Sequence, residues 1–389
     1  MSIALGERQQ EMTLLQKLRN VNWLLVLLIC VTASYGFAML YSAAGGSVDP
    51  WVTRQSARFG MGLAMMLFVA MVDLRFWMRI AYPFYGLALC LLIAVDVIGT
   101  IGGGAQRWLS LGFVSLQPSE LMKVALILTL ARYYHGLTPE DVGRLRYLFQ
   151  PFLLMLMPVG LVVIQPDLGT AILLLMGGLT VMLLAGVRWW VFGTLAAGAL
   201  AAMPVFWANL RDYQKDRVFT FLNPERDPLG TGYHIMQSKI ALGSGGVWGK
   251  GFMQGTQSHL NFLPEKQTDF IFTALAEEFG FVGGVTLVIL YTVLIGYGFL
   301  IALSARNHFA RLMAVGVTTT FFLYVFINIA MVMGLIPVVG VPLPLVSFGG
   351  SAMMTLLIGM GLLMNVYVHR NVVLSRQGTV PLARQGTVL

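Results

Sequence analysis

Ten stretches of this chain are apolar over about the length needed to cross a bilayer, and no other feature limits its fold so severely. They lie near residues 22–43, 56–73, 77–98, 118–135, 148–164, 168–187, 189–208, 281–304, 309–334 and 350–369. A hydrocarbon core about 30 Å thick is crossed by roughly 20 apolar residues in helix. Only 11% of the 389 residues are charged, against roughly 25% in an ordinary soluble domain, too few to cover a water-exposed surface of this size. The expected fold is all-α: a polytopic membrane protein of about ten transmembrane helices, forming a single membrane domain over residues 1–389. Ten crossings put both termini on one side.

The first run is about 20 residues long, against 7–15 for a signal-peptide core, so it reads as a retained helix despite the small residues Ser42-Ala43-Ala44-Gly45 behind it. With the N-terminus inside, the short inner segments carry Arg8, Lys17, Arg19, Arg75, Arg79, Arg132, Arg144, Arg146, Arg188, Arg306, Arg311, Arg370, Arg376 and Arg384. The short outer loops carry Arg54, Arg58 and Arg107. That asymmetry predicts cytoplasmic termini. The net charge of +8 is mostly this bias and gives no sign of a nucleic-acid partner. Cys30 and Cys90 fall inside apolar runs, where a thiol behaves as a small hydrophobe, and they suggest neither a disulfide framework nor a zinc site.

One long non-membrane segment, 209–268, faces outward. It contains the glycine cluster Gly243-Ser244-Gly245-Gly246-Val247-Trp248-Gly249-Lys250-Gly251. As a nucleotide P-loop it fails, because Ser244 stands where the first glycine belongs and Gly251 follows Lys250 instead of Ser or Thr. Two readings stay open: backbone N–H groups exposed to a phosphate or pyrophosphate beside a lysine, or a flexible surface turn. The last stretch, 370–389, repeats Arg-Gln-Gly-Thr-Val at Arg376–Val380 and Arg384–Val388 and is expected to be a disordered cytoplasmic tail.

Ionisable groups in or at the mouths of spans are costly and mark candidate sites. Glu120, in Pro118-Ser119-Glu120, fits a helix start capped by Ser119. Lys123, three positions on, shares its face and can neutralise it; a helix-holding pair and a functional pair are equally open. Asp167, in Gln165-Pro166-Asp167-Leu168-Gly169, fits a helix cap in a tight outer turn. Asp269, in Leu263-Pro264-Glu265-Lys266-Gln267-Thr268-Asp269-Phe270, stands at the doorway of an apolar run, with Thr268 as a cap and Lys266 as a charge partner. Glu277 and Glu278 follow it, and capping explains one such acid but not the set. The histidines at 135, 234, 259, 308 and 369 show no zinc spacing, and there is no Gly-x-Ser-x-Gly elbow.

Several of these stretches together carry a resemblance. They are Arg107-Trp108-Leu109 with Gln117-Pro118-Ser119-Glu120, Gln165-Pro166-Asp167-Leu168-Gly169-Thr170, Gln237-Ser238-Lys239-Ile240-Ala241 with Gly243-Ser244-Gly245-Gly246, Thr268-Asp269-Phe270-Ile271-Phe272 with Ala276-Glu277-Glu278, and Pro342-Leu343-Pro344-Leu345-Val346-Ser347-Phe348-Gly349-Gly350-Ser351. In this order the chain resembles, from its first span to about His369, the shape, elongation, division and sporulation (SEDS) family of bacterial peptidoglycan glycosyltransferases. Gly249-Lys250-Gly251, Gly255-Thr256-Gln257-Ser258 and Pro342–Val346 are similar to its elongation branch more than to its division branch. Two positions depart: Gln267 replaces a usual histidine, and Phe348 often a tyrosine; neither removes an acid.

The resemblance implies polymerisation of lipid II into a β-1,4-linked glycan strand at the outer, periplasmic face of the bacterial cytoplasmic membrane, with undecaprenyl pyrophosphate released, for cell elongation and rod shape. It implies Asp269 as general base. Arg107, Trp108, Glu120, Lys123, Asp167, Arg217, Lys239 and Lys250 are expected at the substrate, and a divalent cation, magnesium or manganese, with Asp269 as its possible ligand. Implied partners are lipid II and the nascent glycan strand, a class B penicillin-binding protein acting as the elongation transpeptidase, and other membrane proteins of the elongation complex. The alternatives are a lipid II flippase, which should place polar groups on both sides of the midplane, and a non-catalytic scaffold for a transpeptidase, which leaves the clustered acids unexplained.

Overall fold

The computed structural model describes residues 12–102, 105–110, 115–209, 212–223, 231–260, 262–263, 265–372 and 374. Fifteen helices are seen among them: α1 (Leu14–Arg19), α2 (Trp23–Ala43), α3 (Trp51–Met71), α4 (Leu74–Ile98), α5 (Pro118–His135), α6 (Pro139–Val142), α7 (Leu145–Ile164), α8 (Leu168–Ala185), α9 (Trp189–Asn209), α10 (Asp212–Leu222), α11 (Thr231–Ser244), α12 (Thr256–His259), α13 (Ile271–Ser304), α14 (His308–Val332) and α15 (Gly350–Val368). Seven of them, α2, α4, α7, α8, α13, α14 and α15, are long and apolar enough to cross a membrane. The expected count of ten also included α3, α5 and α9. These are helices of 21, 18 and 21 residues, but α3 and α5 carry charges, Arg54 and Arg58 on one and Glu120, Lys123 and Arg132 on the other, and do not pass as apolar spans.

The centre of the bundle is α14 and α15, each apolar nearly all round, as a buried membrane helix should be. They pack on α3, α5, α8 and α13, whereas α9 leaves most of its described apolar side chains exposed. Between α4 and α5 the chain makes a small antiparallel sheet the apolar periodicity did not reveal: β1 (Thr100–Gly102), β2 (Ala105–Ser110) and β3 (Ser115–Leu116), in that order. Thr100 pairs with Trp108, and Leu109 with Leu116. The non-membrane segment 209–268 holds α10, α11 and α12 among its described residues, with α11 laid on α13. Of the expected tail, residues 373 and 375–389 lie outside the described residues.

Prolines inside helices show how the bundle meets its strictest requirement. A proline has no N–H, so the carbonyl four residues earlier loses its partner, and within a bilayer such a group must be satisfied by the protein. Pro83 frees the carbonyl of Arg79, which accepts from Arg132 Nη1 at 2.9 Å. Pro151 frees that of Tyr147, which accepts from the Tyr133 hydroxyl at 2.7 Å. Pro158 frees that of Leu154, which accepts from the Tyr85 hydroxyl at 2.8 Å. The end of α3 is treated alike: Asn365 Nδ2 donates to the carbonyls of Val69 and Ala70, at 3.1 and 3.2 Å, and Lys17 Nζ to that of Met71 at 2.7 Å.

One further break is made by a glycine. Gly280 lies inside α13 at φ 66° and ψ −161°, a conformation open only to glycine, and kinks the helix. The span expected at 281–304 is the part beyond this kink; the helix itself begins ten residues earlier.

The proline pairing is testable by a double-mutant cycle on thermal unfolding in detergent. Tyr85→Phe should cost about 0.5–1.5 kcal/mol, and adding Pro158→Ala, which restores an N–H to the Leu154 carbonyl, should recover most of that loss. Strict additivity of the two changes would show that the hydroxyl does not serve this carbonyl.

Candidate functional site

Asp269 ends an irregular turn, 265–270, from which α13 departs. Thr268 does not cap that helix as expected: Phe270 occupies the cap position without a side-chain bond, and the Thr268 hydroxyl donates to Glu265 Oε2 at 3.0 Å. What holds the turn is the segment 338–349 between α14 and α15. Asn328 Nδ2 donates both to the carbonyl of Asp269, at 3.0 Å, and to that of Val341, at 2.7 Å. The Ser347 hydroxyl donates to the carbonyl of Thr268 at 2.6 Å and accepts from the N–H of Leu343 at 2.8 Å. Phe348 N–H donates to the Gln267 carbonyl at 2.8 Å. From α3, Gln55 Nε2 donates to the Ser347 carbonyl at 2.8 Å, and the buried Tyr291 hydroxyl to the Pro344 carbonyl at 2.6 Å. The Pro-Leu-Pro-Leu-Val-Ser-Phe-Gly-Gly stretch is therefore a brace for Asp269. Gly340, at φ 72°, lies so close beneath that an added Cβ would stand 3.6 Å from Asp269 Oδ2.

The half-buried Asp269 faces a cavity of about 550 Å³. Arg107 and Trp108 on β2, Glu120 on α5 and Asp167 before α8 line the same space. Asp167 does cap its helix, accepting from Thr170 N–H at 3.2 Å and the Thr170 hydroxyl at 2.9 Å. Gln117 Nε2 reaches it at 3.4 Å. Arg107 Nε lies 4.0 Å from Asp167 Oδ2 and donates to the Gln165 carbonyl at 3.3 Å, and its Nη2 donates to the Pro166 carbonyl. Ser119 leaves its expected capping role undone, since Gln117 precedes α5 and Pro118 needs no donor at the first helical position.

Below this layer Glu120 and Lys123 pair at 2.6 Å, both almost wholly buried. The Tyr324 hydroxyl on α14 lies 2.9 Å from each Glu120 oxygen and also meets Lys123 Nζ. Tyr324 and Glu120 border both the cavity and a narrow apolar crevice that continues between α5, α14 and α15 past Ile127, Phe321 and Met360.

Two expected site residues, Lys239 and Lys250, do not line this cavity. The side chain of a third, Arg217 on α10, lies outside the described residues. Lys239 is exposed on α11, away from the cavity lining. Lys250 donates to Glu277 Oε1 at 2.7 Å and to the Thr256 hydroxyl at 2.8 Å. The glycine cluster is neither a phosphate nest nor a free turn. Its N–H groups are spent on the kink in α13: Lys250 N donates to the Glu277 carbonyl and Gly251 N to that of Glu278, both at 3.0 Å, while Phe281 N returns to Gly246 at 2.9 Å. A Cβ on Gly249 or Gly280 would run into the other strand of this crossing. Buried Glu278 accepts from the Ser42 hydroxyl and from Met253 N–H at 3.1 Å, with His259 Nε2 at 3.6 Å. Lys266 donates to the Ser258 carbonyl at 2.7 Å, and burial pushes its pKa below the usual lysine value.

Residues that sequence reasoning passed over include Tyr324, Asn328, Ser347, Gln55 and Arg58, whose guanidinium stacks 5.0 Å over the Phe348 ring at the cavity edge. A lone amide in the apolar run 309–334 was the available signal for Asn328. No group of three His, Cys, Asp or Glu comes together among the described residues. The donor set suits a divalent cation only in the manner of Mg²⁺, held by one or two carboxylates and completed by substrate phosphate oxygens.

Residues 21–372 match the family described as cell cycle protein, of FtsW, RodA and SpoVE. The chain is 46% identical over 349 residues to the peptidoglycan glycosyltransferase MrdB of Escherichia coli K12, covering 89% of this chain and 93% of that one. A chain from a peptidoglycan synthase complex that coordinates polymerization and crosslinking superposes with a TM-score of 0.79 at 35% identity, covering 90% of this chain and 98% of the other. The rod shape determining protein RodA of Thermus thermophilus gives 0.68 at 31% identity, covering 90% and 97%.

The buried pair beneath the cavity makes a stability prediction. Lys123→Met strands a buried carboxylate and should lower unfolding stability by about 3–5 kcal/mol. Glu120→Gln combined with Lys123→Met should return most of it. Equal destabilisation by the single and double variants, measured by unfolding in detergent, would contradict the pairing.

Proposed function

The chain belongs to the cell cycle protein family of FtsW, RodA and SpoVE and is a peptidoglycan glycosyltransferase, and from that premise we propose that Asp269 is the general base with which it polymerises lipid II. The observation that carries this reading is convergence. Asp269, Arg107, Trp108, Asp167 and Glu120 come from four separated parts of the chain to one polar cavity at one end of an apolar bundle.

The chemistry follows from the leaving group. A glycosidase needs a second carboxyl to protonate its departing oxygen. A diphosphate leaves as a stable anion and asks for cations instead, so one carboxylate suffices. The acceptor sugar's 4-hydroxyl gives its proton to Asp269 as its oxygen attacks the donor's anomeric carbon. The bond from that carbon to the diphosphate oxygen breaks, the electron pair departs with undecaprenyl pyrophosphate, and the carbon is inverted to a β-1,4 link. Arg107 is placed to receive the diphosphate: two of its N–H groups are anchored on the 165–166 carbonyls, which orients the guanidinium. Trp108 offers its ring to a sugar face, and the apolar crevice below Tyr324 suits a polyprenyl tail. Asp269 would be the residue to hold a divalent cation, which would supply neutralising charge to the leaving group. Lys250, committed to Glu277, supports the outer loop in this scheme more than the diphosphate.

The sidedness of the lysines and arginines supports a periplasmic cavity and cytoplasmic termini in the bacterial inner membrane. The likeness to a chain from a synthase complex that also cross-links supports a membrane partner, a class B penicillin-binding protein, that joins the strands made here, alongside other membrane proteins of the elongation complex.

The test is a chain-length assay on the purified protein with its partner and lipid II added from outside. Asp269→Asn keeps the shape of the side chain but cannot accept the proton, and should lower polymerisation by about 10²–10⁴-fold. Glycan made by Asp269→Asn at the unsubstituted rate would exclude this base, and loss of translocation alone would mark a flippase.

A further inference from the structure

A second polar cavity, of about 390 Å³, lies at the other end of the bundle. Gly350 borders the Asp269 cavity and Val368 borders this one. The helix between them, α15, is 19 residues long and at 1.5 Å per residue separates the two by about 27 Å. By the distribution of Lys and Arg, this is the cytoplasmic end.

Its walls come from three places: Lys17 and Asn20 ahead of α2, Asp73 and Arg75 at the turn from α3 to α4, and His369 and Arg370 at the end of α15. Three cations therefore meet one acid, and among the described residues no ion pair joins them. Asp73 is occupied in accepting Arg75 N–H at 2.7 Å as the cap of α4. Lys17 spends one of its three protons on the Met71 carbonyl, and Arg370 one of its five on the Tyr367 carbonyl at 3.2 Å. Most of the donors at this cavity remain unspent.

His369 supplies a second, independent observation. It is 3% exposed. Its Nδ1 lies 3.0 Å from the Asn365 carbonyl, an acceptor, so Nδ1 carries the proton and donates. The other nitrogen, Nε2, is then an acceptor, and it is buried without a partner. Buried polar atoms are rarely left so unless something completes them. Burial pulls the imidazole below its usual pKa, which keeps it neutral and accepting.

The site thus combines cationic donors suited to a phosphate with one acceptor suited to a hydroxyl, at the level where inner-leaflet headgroups lie. Basic pockets between membrane helices on the cytoplasmic side are recognised headgroup sites. We propose that this cavity binds the headgroup of an anionic phospholipid whose phosphodiester is flanked by hydroxyl groups, as in phosphatidylglycerol: the phosphate to Lys17, Arg75 and Arg370, and a hydroxyl to His369 Nε2.

The test uses the full chain in mixed micelles of phosphatidylglycerol and phosphatidylcholine, read by native mass spectrometry, with a parallel titration of soluble glycerol phosphate. The unsubstituted chain should retain phosphatidylglycerol over phosphatidylcholine. Arg75→Gln with Arg370→Gln should weaken that retention about fivefold per cation removed, while Arg75→Lys with Arg370→Lys should keep it. Glycosyltransferase turnover of the Gln variant, whose changes lie at the opposite end of α15 from the Asp269 cavity, confirms that it is folded. Equal retention of the two lipids, or retention unchanged in the Gln variant, would overturn the proposal. Soluble glycerol phosphate binding as tightly as the lipid would also overturn it, by making the ligand a free phosphate ester.

Discussion

Every carbonyl released from helical pairing inside this bundle has to find a donor, and the end that carries Asp269 is built out of that requirement. Lipid offers none, so the breaks in α4, α7 and α13 are met by donors from neighbouring segments. The three in-helix prolines of α4 and α7 are served by Arg132, Tyr133 and Tyr85. The same device, used more densely, makes the irregular turn 265–270 possible. Asn328 and Ser347 take the carbonyls of Asp269 and Thr268, and Gln55 and Tyr291 secure the segment that carries Ser347. Asp269 is rigidly presented because its backbone is tied on both sides, not because its helix is capped.

The acids near the outer end are sorted by the same logic. Glu277 and Glu278 are buried and hold the glycine-rich loop against the kink at Gly280. Glu120 is saturated by Lys123 and Tyr324, and Asp167 by the first turn of α8. Each binds two or more elements together. Asp269 borders the same cavity as Glu120 and Asp167, but from an irregular turn whose carbonyls are held by Asn328 and Ser347.

How much of this was legible in the sequence depends on distance along the chain. The cap at Asp167 and the pair Glu120–Lys123 could be read because each interaction spans three residues. The Tyr324 contact to Glu120 spans 204 and the Asn328 contact to Asp269 spans 59, and no local pattern encodes either. Apolar length located the long helices, including α3 and α5, which carry charged side chains within their apolar runs. The small sheet was missed because its strands are two to six residues long. The glycine cluster was read as a ligand loop or a turn because its partner, the kinked α13, adjoins it only in space. The choice of Asp269 among several plausible acids rests on the SEDS resemblance and not on any local pattern.

The central claim is that the Asp269 carboxylate removes a proton while nothing need be donated to the leaving group. Chemical rescue tests it most directly: initial rates of glycan synthesis by Asp269→Ala, with its partner and lipid II, measured against added formate. The account predicts a nearly inactive variant whose rate rises with formate concentration, as a diffusible carboxylate enters the space left on the cavity wall. A variant that polymerises at the unsubstituted rate without formate would contradict it.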